Sequence, residues 1–161
     1  MPEEAVRFAV LQLSGCAGCE VSLLNAEEWT ERYRLMYMPL VVSAYDVPPV
    51  DILLVSGGVR NDEDIYNLRR AIPRAKQVVA VGTCAISGGV ASLGDRDEVR
   101  QLFLTQPERR HVPRMLPKCH PIDAFVEVDR YLPGCPPTPE LFIAALLNPA
   151  DFTASKIVCQ E

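Results

Sequence analysis

Three short segments of the chain are largely apolar, and each of them runs into glycine or cysteine. They read VRFAVLQL from Val6 to Leu13, VDILLVSGG from Val50 to Gly58, and KQVVAVGTC from Lys76 to Cys84. A strand that is apolar on both faces must be covered on both faces, which is typical of a parallel sheet packed between helices. These segments therefore predict buried, parallel strands.

The segments between these strands predict helices and two further strands. We expect helices from Glu20 to about Glu31, from Asn61 or Asp62 to about Ile72, from Asp95 to Thr105, and from Pro139 after a capping Thr138. YMPLVVSAY from Tyr37 and AFVEVDRYL from Ala124 predict the remaining strands, and residues 106–122 predict an irregular connection. The alternation predicts an α/β fold with a doubly wound, mainly parallel sheet of four or five strands and helices on both faces.

Length and charge limit the organisation and the partners of the chain. With 161 residues we expect one domain over residues 1–147 and a C-terminal tail, 148–161, that packs on the body or on a partner. The net charge is −5 and no basic cluster stands out, which argues against nucleic acid or an anionic membrane as a partner. The start, MPEEAVRF, is acidic, and no apolar run reaches the ~18–20 residues of a membrane span. We therefore expect a cytoplasmic protein whose thiols stay reduced.

Four of the six cysteines follow predicted strands. Cys16 and Cys19 come after the first strand, Cys84 ends VVAVGTC, and Cys135 follows AFVEVDRYLPG. Because the carboxyl ends of parallel strands share one edge of a sheet, we expect these four thiols to meet there. The neighbouring glycines leave room for a bulky polynuclear centre and supply backbone N–H groups near the sulfur atoms.

Other interpretations of the cysteines remain open at this point. A C-x-x-C pair alone also fits a redox dithiol or half of a zinc site, although structural zinc usually combines two short-spaced pairs. A buried, unreactive thiol is the interpretation that we favour for Cys119 and Cys159. We interpret His111 and His120 as surface or interface residues rather than as ligands.

Three motifs together resemble the small subunit of nickel–iron hydrogenases. They are SGCAGCEVSLL, VGTCAISGGV and LPGCPPTPE, and the resemblance extends from about Val6 to Leu147. It implies a flavodoxin-like domain that binds one [4Fe–4S] cluster, the cluster closest to the nickel–iron centre. It also implies that the ligands are Cys16, Cys19, Cys84 and Cys135.

The chain resembles the short, single-cluster type of small subunit. Many members of the family carry a C-terminal domain with further clusters, for which this chain has neither the length nor the cysteines. The resemblance implies an electron-transfer subunit of a cytoplasmic, NAD(P)-linked or bifurcating hydrogenase. Its partners would be the large subunit that holds nickel and iron, and subunits that carry flavin or iron–sulfur clusters.

Alternatives to this function remain. The subunit of respiratory complex I that holds the quinone-proximal cluster has the same fold and similar motif regions, but it carries adjacent cysteines where this chain has Cys16-Ala-Gly-Cys19. A stand-alone iron–sulfur carrier and a scaffold without metal are further alternatives. Glu20 is either a first-turn acid favoured by the helix dipole or an interface or proton-handling carboxylate. The proline-rich stretches from Pro113 to Pro121 and from Pro133 to Pro139 are candidates for a partner interface.

Overall fold

A computed structural model describes residues 5–104 and 113–147 of the chain. Its helices and strands are, in chain order, β1 (Val6–Gln12), α1 (Gly18–Leu24), α2 (Trp29–Arg32), β2 (Tyr33–Tyr37), β3 (Val50–Ser56), β4 (Val59–Asn61), α3 (Asp62–Ala71), β5 (Ala75–Val81), α4 (Gly82–Ser87), α5 (Asp97–Leu104), β6 (Met115–His120), β7 (Arg130–Leu132) and α6 (Pro139–Leu147). Short 3-10 turns cover Ile72–Arg74, Gly89–Asp95 and Ile122–Ala124.

The main sheet has five parallel strands in the order β2-β1-β3-β5-β7. The short strand β4 pairs antiparallel with β6 in a separate two-stranded ribbon. The chain passes from β1 outward to β2 and then returns to β3 on the other side of β1. The carboxyl ends of β1 and β3 therefore border the crevice where open sheets of this kind bind ligands.

The core consists of two apolar layers, one on each face of the sheet. Ile52 and Leu54 of β3 pack in the layer that contains residues of α1 and α6. Leu53 and Val55 point the other way and pack in the layer that contains residues of α3. The alternation explains why this strand is apolar throughout, and it confirms the prediction of a doubly wound α/β fold with helices on both faces.

The predicted helix from Glu20 to Glu31 is divided in two. Helix α1 ends at Leu24, and α2 begins at Trp29. The indole N–H of Trp29 donates to the carbonyl oxygen of Leu23 at 3.0 Å, and its ring packs edge-to-face on Phe8. Packing of the half-buried indole on the core therefore accompanies the turn of the chain where helix propensity alone would continue it.

The predicted strand from Tyr37 to Tyr45 is wrong. Strand β2 covers Tyr33–Tyr37, and the segment after it forms a turn in which the N–H groups of Val41 and Val42 donate to the carbonyl oxygen of Met38. Pro39 has no N–H to donate to a neighbouring strand, so the apolar run that follows leaves the sheet.

Further boundaries differ at the other predicted strands. The strand before Cys84 ends at Val81, so that Gly82 begins α4, and the last strand is limited to Arg130–Leu132. Residues 115–120 form β6 and are not irregular, because they pair with β4. His111, Cys159 and the predicted tail lie outside the described residues.

No helix in the described part of the chain has the length and apolar character needed to cross a membrane.

Candidate metal centre

Cys16, Cys19, Cys84 and Cys135 line a single cavity of about 70 Å³ at the carboxyl edge of the main sheet. Cys16 follows β1, Cys19 lies in the first turn of α1, Cys84 lies in the first turn of α4, and Cys135 follows β7. Cys16 and Cys135 are exposed, whereas Cys19 and Cys84 are half-buried. The parallel topology thus brings together thiols that are up to 119 positions apart in the sequence.

Gly82 leaves the space that the sulfur atom of Cys19 occupies. Its φ of +79° lies in the left-handed region, and a Cβ built at this position would lie 2.7 Å from Cys19 Sγ. Any other residue would need both an unfavourable backbone conformation and a displacement of the sulfur. The turn from β5 into α4 is therefore shaped around the thiol of Cys19.

Two hydrogen-bonded connections fix the loop that carries Cys135. The backbone N–H and the hydroxyl of Thr83 donate to the carbonyl oxygen of Gly134 at 2.8 and 3.1 Å. The hydroxyl of Ser22 donates to the carbonyl oxygen of Pro137 at 2.6 Å. The loop is thus bound to α4 on one side of the cysteine and to α1 on the other.

The thiol of Cys19 strongly favours its protonated form. Burial raises its pKa to about 12, and Glu20 and the thiols of Cys16, Cys84 and Cys135 act in the same direction. Each of the three other thiols is therefore close enough to Cys19 to act on it electrostatically. A cation that binds here must displace the proton of Cys19, and its charge would remove the repulsion between the thiolates.

The arrangement of donors fits a cluster of several metal atoms better than a single ion. Across residues 5–104 and 113–147, no group of three or more His, Cys, Asp or Glu side chains is arranged to hold one metal ion. A mononuclear zinc site needs four donors about 2.3 Å from one point. In an iron–sulfur cluster each cysteine binds a different iron atom, so the thiols surround a volume instead. A dithiol formed by Cys16 and Cys19 would not need the two remote cysteines that share this cavity.

Glu20 is buried directly behind the cysteine cavity. It is 1% exposed, its Oε1 accepts a hydrogen bond from the hydroxyl of Ser56, and its Oε2 has no partner among the described residues. Because the side chain points into the core between α1 and the sheet, it does not contribute to the surface of the chain. A proton-handling role for Glu20 stays a prediction.

Cys119 lies in β6 and does not line the cysteine cavity. It is buried, and its N–H donates to both carboxylate oxygens of Asp95 at 3.0 and 3.1 Å. Burial raises the pKa of its thiol. The ring of His120 packs edge-to-face on Phe125. These surroundings agree with a buried, structural thiol at Cys119, and a surface or interface role for His120 stays a prediction.

Sequence reasoning missed the hydroxyl groups that support the site. Ser22 and Thr83 lie within three positions of Cys19 and Cys84, and Ser56 lies at the end of β3. A serine or threonine close to a cysteine at a strand end is the sequence signal that could have indicated them. Their acceptors lie far away in the sequence, so the pairings themselves required the fold.

Comparison with known proteins identifies relatives over nearly the whole chain. The family model for the NADH ubiquinone oxidoreductase 20 Kd subunit matches residues 16–148. The chain is 33% identical to a subunit of the F420-non-reducing hydrogenase vhu from Methanococcus voltae, over 98% of this chain and 62% of the relative. It is 27% identical to the delta subunit of the NAD-reducing hydrogenase HoxS from Cupriavidus necator, over 84% of this chain and 74% of the relative. The chain thus spans less than two thirds of the length of the first of these relatives.

A solved structure shares both the fold and part of the sequence. A chain in the crystal structure of an NAD+-reducing [NiFe]-hydrogenase in the H2-reduced state matches with a TM-score of 0.79 and 34% identity, over 90% of each chain. These similarities confirm the resemblance to nickel–iron hydrogenase subunits that the three motifs indicated. The match also supports the flavodoxin-like description of the fold.

Proposed function

The chain belongs to the NADH ubiquinone oxidoreductase 20 Kd subunit family, and from that premise we propose that it is the electron-transfer small subunit of a cytoplasmic [NiFe] hydrogenase. The observation that carries the proposal is the cavity lined by cysteines from three remote segments. The relatives named as hydrogenase subunits support the same function.

The ligands of the proposed cluster are Cys16, Cys19, Cys84 and Cys135, and the cluster is a single [4Fe–4S] centre. Four thiols are the donor set that such a cluster takes. When bound, it supplies a one-electron redox couple between the large subunit, where H2 reacts, and a partner that carries flavin or iron–sulfur clusters.

The residues around the cavity fix the positions of the four thiols and shield the inner side of the site from water. Thr83 and Ser22 fix the Cys135 loop against α4 and α1, so that the four thiols keep one spacing. Behind Cys19, the side chains of Val10, Leu23 and Phe142 are buried and exclude water from the inner side of the site. The outer side is open at the exposed Cys16 and Cys135. Electron exchange with a partner subunit therefore takes place through this open side.

Exposed apolar side chains on the elements that carry cavity residues support docking of a partner there. Val90 lines the cavity and is exposed, and Leu93 in the same turn and Val21 in α1 are exposed as well. Burial of these side chains against the large subunit would remove apolar surface and water from the open side. The subunits that accept the electrons are NAD(P)-linked, in keeping with the NAD-reducing relative.

The second candidate function is that of a complex I-type subunit, because the family model describes an NADH ubiquinone oxidoreductase subunit. The C-x-x-C spacing of Cys16 and Cys19 favours the hydrogenase, since the complex I type carries adjacent cysteines. A stand-alone redox carrier would expose the same cavity but would purify without partners.

Anaerobic purification of the tagged chain from its own host tests the proposal. We expect about four iron and four sulfide per chain beyond those of the partner subunits, as a [4Fe–4S] cluster requires, and a co-purified subunit with paired C-x-x-C motifs that contains nickel. Cys84→Ser and Cys135→Ser should abolish the cluster, whereas the control Cys159→Ser should retain it. A cluster that survives Cys84→Ser contradicts the ligand set, and a nickel-free quinone-reducing assembly contradicts the hydrogenase function.

A further inference from the structure

Asp64 connects the first turn of α3 to the segment that leads to Cys16. Its side chain is 8% exposed, and one carboxylate oxygen, Oδ2, accepts a hydrogen bond of 2.7 Å from the hydroxyl of Ser14. The same oxygen accepts from the N–H groups of Arg60 at 2.9 Å and Asn61 at 3.3 Å. A buried carboxylate that accepts from several donors is held in one orientation, so it can fix the groups that donate to it.

The backbone of the same segment is packed on the turn after β3. Ser14 and Gly58 exchange two hydrogen bonds, of 3.1 and 2.7 Å, between their backbone groups. A Cβ built at Gly57, which has a φ of +80°, would lie 2.7 Å from the carbonyl carbon of Leu13. The chain is therefore closely packed up to Ser14, and the exposed Cys16 follows two positions later.

We propose that Asp64 is a positioning residue for the metal centre. Through the hydroxyl of Ser14 it fixes the turn that carries Cys16, and it thereby sets the position of this thiol relative to the other three. The inference rests on the proposed function, because it assumes that Cys16 binds a cluster. It adds a determinant of cluster geometry that lies outside the three cysteine motifs.

Asp64 also caps helix α3, and an experiment must distinguish this local role from the positioning of Cys16. With Asn61 it forms a capping box: the Asn61 side chain accepts from the N–H of Asp64, and the Asp64 side chain accepts from the N–H of Asn61. The two bonds of the capping box stabilise α3, and Ser14 takes part in neither of them, although the side-chain N–H of Asn61 also donates to the Ser14 hydroxyl oxygen at 3.5 Å. Removal of the Ser14 hydroxyl therefore breaks the connection to the cysteine turn and leaves the capping box in place.

The experiment uses the complex purified anaerobically with the full chain, and the variants Ser14→Ala, Asp64→Asn and the double variant. The control is Asp62→Asn, which makes the same chemical change in the same helical turn, where Asp62 is exposed and accepts from the N–H of Arg114. The readouts are the rate at which a chelator removes iron, and the electron paramagnetic resonance spectrum of the reduced cluster.

We expect Ser14→Ala, which removes the hydrogen bond, to release iron about fivefold faster. Asp64→Asn keeps an amide oxygen that accepts more weakly from Ser14, so we expect it to release iron faster than the wild type but by a smaller factor. Both should alter the g-values of the reduced cluster. The double variant should release iron no faster than Ser14→Ala, because both changes act on one connection. Asp62→Asn should match the wild type in release rate and spectrum.

The outcomes separate this inference from the proposed function. A wild-type complex whose iron and sulfide contents equal those of the Cys84→Ser complex contradicts the proposed function. If the wild type holds the cluster but Ser14→Ala leaves the release rate and the spectrum unchanged, Asp64 is only a capping residue and the positioning role is wrong. Additive effects of the two substitutions would also overturn it.

Discussion

The hydroxyl of Ser22 donates a hydrogen bond of 2.6 Å to the carbonyl oxygen of Pro137, which lies 115 positions further along the chain. Ser22 is on α1, three residues after Cys19, and Pro137 is two residues after Cys135. The bond is buried, so its loss is not compensated by water. It connects two of the three segments that supply cysteines to the cavity.

Ser22→Ala should loosen the Cys135 loop and weaken retention of the cluster. We expect the iron release rate to rise about fivefold, because the carbonyl oxygen of Pro137 loses its buried donor. Ser87→Ala is the matched control, since the exposed Ser87 hydroxyl donates to the carbonyl oxygen of Thr83 within its own helix. Chelator competition on the purified complex measures both rates. Equal rates for the two variants would mean that the Ser22 bond does not hold the loop.

Gly82→Ala should prevent the cluster from forming. The new Cβ would meet Cys19 Sγ at 2.7 Å, and the residue would keep a left-handed φ of +79°. Gly88→Ala separates these effects, because Gly88 has a φ of +84° but its Cβ would meet neighbours only at 3.4 Å or more. Both variants should lose about 1–2 kcal/mol to backbone strain.

Iron and sulfide analysis of the two glycine variants is the deciding measurement. Relative to the wild type, Gly82→Ala should lack about four iron and four sulfide per chain, while Gly88→Ala should keep the wild-type content of both. If Gly82→Ala retains a full cluster, the sulfur of Cys19 can move away from β5 without loss of ligation, and the close fit is unimportant.

Much of the fold could be predicted because its central strands are apolar on both faces. The segments that contain β1, β3 and β5 can be recognised in the sequence for this reason. Their parallel arrangement predicts that the cysteines after them lie at one edge of the sheet. Asn61 could be named as a helix cap because its side chain acts within three residues. Local chemistry of this kind does not depend on the rest of the fold.

The parts that could not be predicted depend on contacts between distant residues. Strand β6, MLPKCH, contains a proline and a lysine, and it forms because it meets the three-residue strand β4. The burial of Glu20 likewise depends on Ser56, 36 positions away, and nothing in the helical pattern of α1 indicates it. In the same way, Asp64 looks like an ordinary first-turn acid until the position of Ser14 is known.

Glu20→Ala should destabilise the chain far more than Glu20→Gln. The alanine variant leaves the buried hydroxyl of Ser56 without its partner and opens space beneath α1, at a cost of about 2–4 kcal/mol. Glutamine keeps a carbonyl oxygen for Ser56 and nearly the same volume, and we expect a cost below about 1 kcal/mol. The apparent melting temperature of the chain, purified with its partner subunits, measures both. A similar loss for the two variants would show that the contact with Ser56 contributes little.

Asp51 connects the amino-terminal ends of three neighbouring strands. The ammonium group of Lys76, 2.7 Å from Oδ1, holds the pKa of Asp51 below its usual value, and the backbone N–H of Arg7, 2.8 Å from Oδ2, acts in the same direction. Arg7 is in β1, Asp51 in β3 and Lys76 in β5. The charged carboxylate is therefore more favourable in the folded chain than in the unfolded one.

Asp51→Asn should lower the stability of the chain at neutral pH. The stability of the variant should also fall less steeply than that of the wild type as the pH is lowered. Because the folded-state pKa is depressed, the contribution of Asp51 is complete above the unfolded pKa and is lost as the pH falls through the folded value. We expect a loss of about 1 kcal/mol at neutral pH, since Lys76 is mostly exposed and the ion pair is screened by water. The melting temperatures of wild type and variant, measured from pH 7 downward, should therefore converge in acid. The control Glu27→Gln removes an exposed carboxylate and should leave the pH profile unchanged, and a constant gap between wild type and Asp51→Asn would refute the linkage.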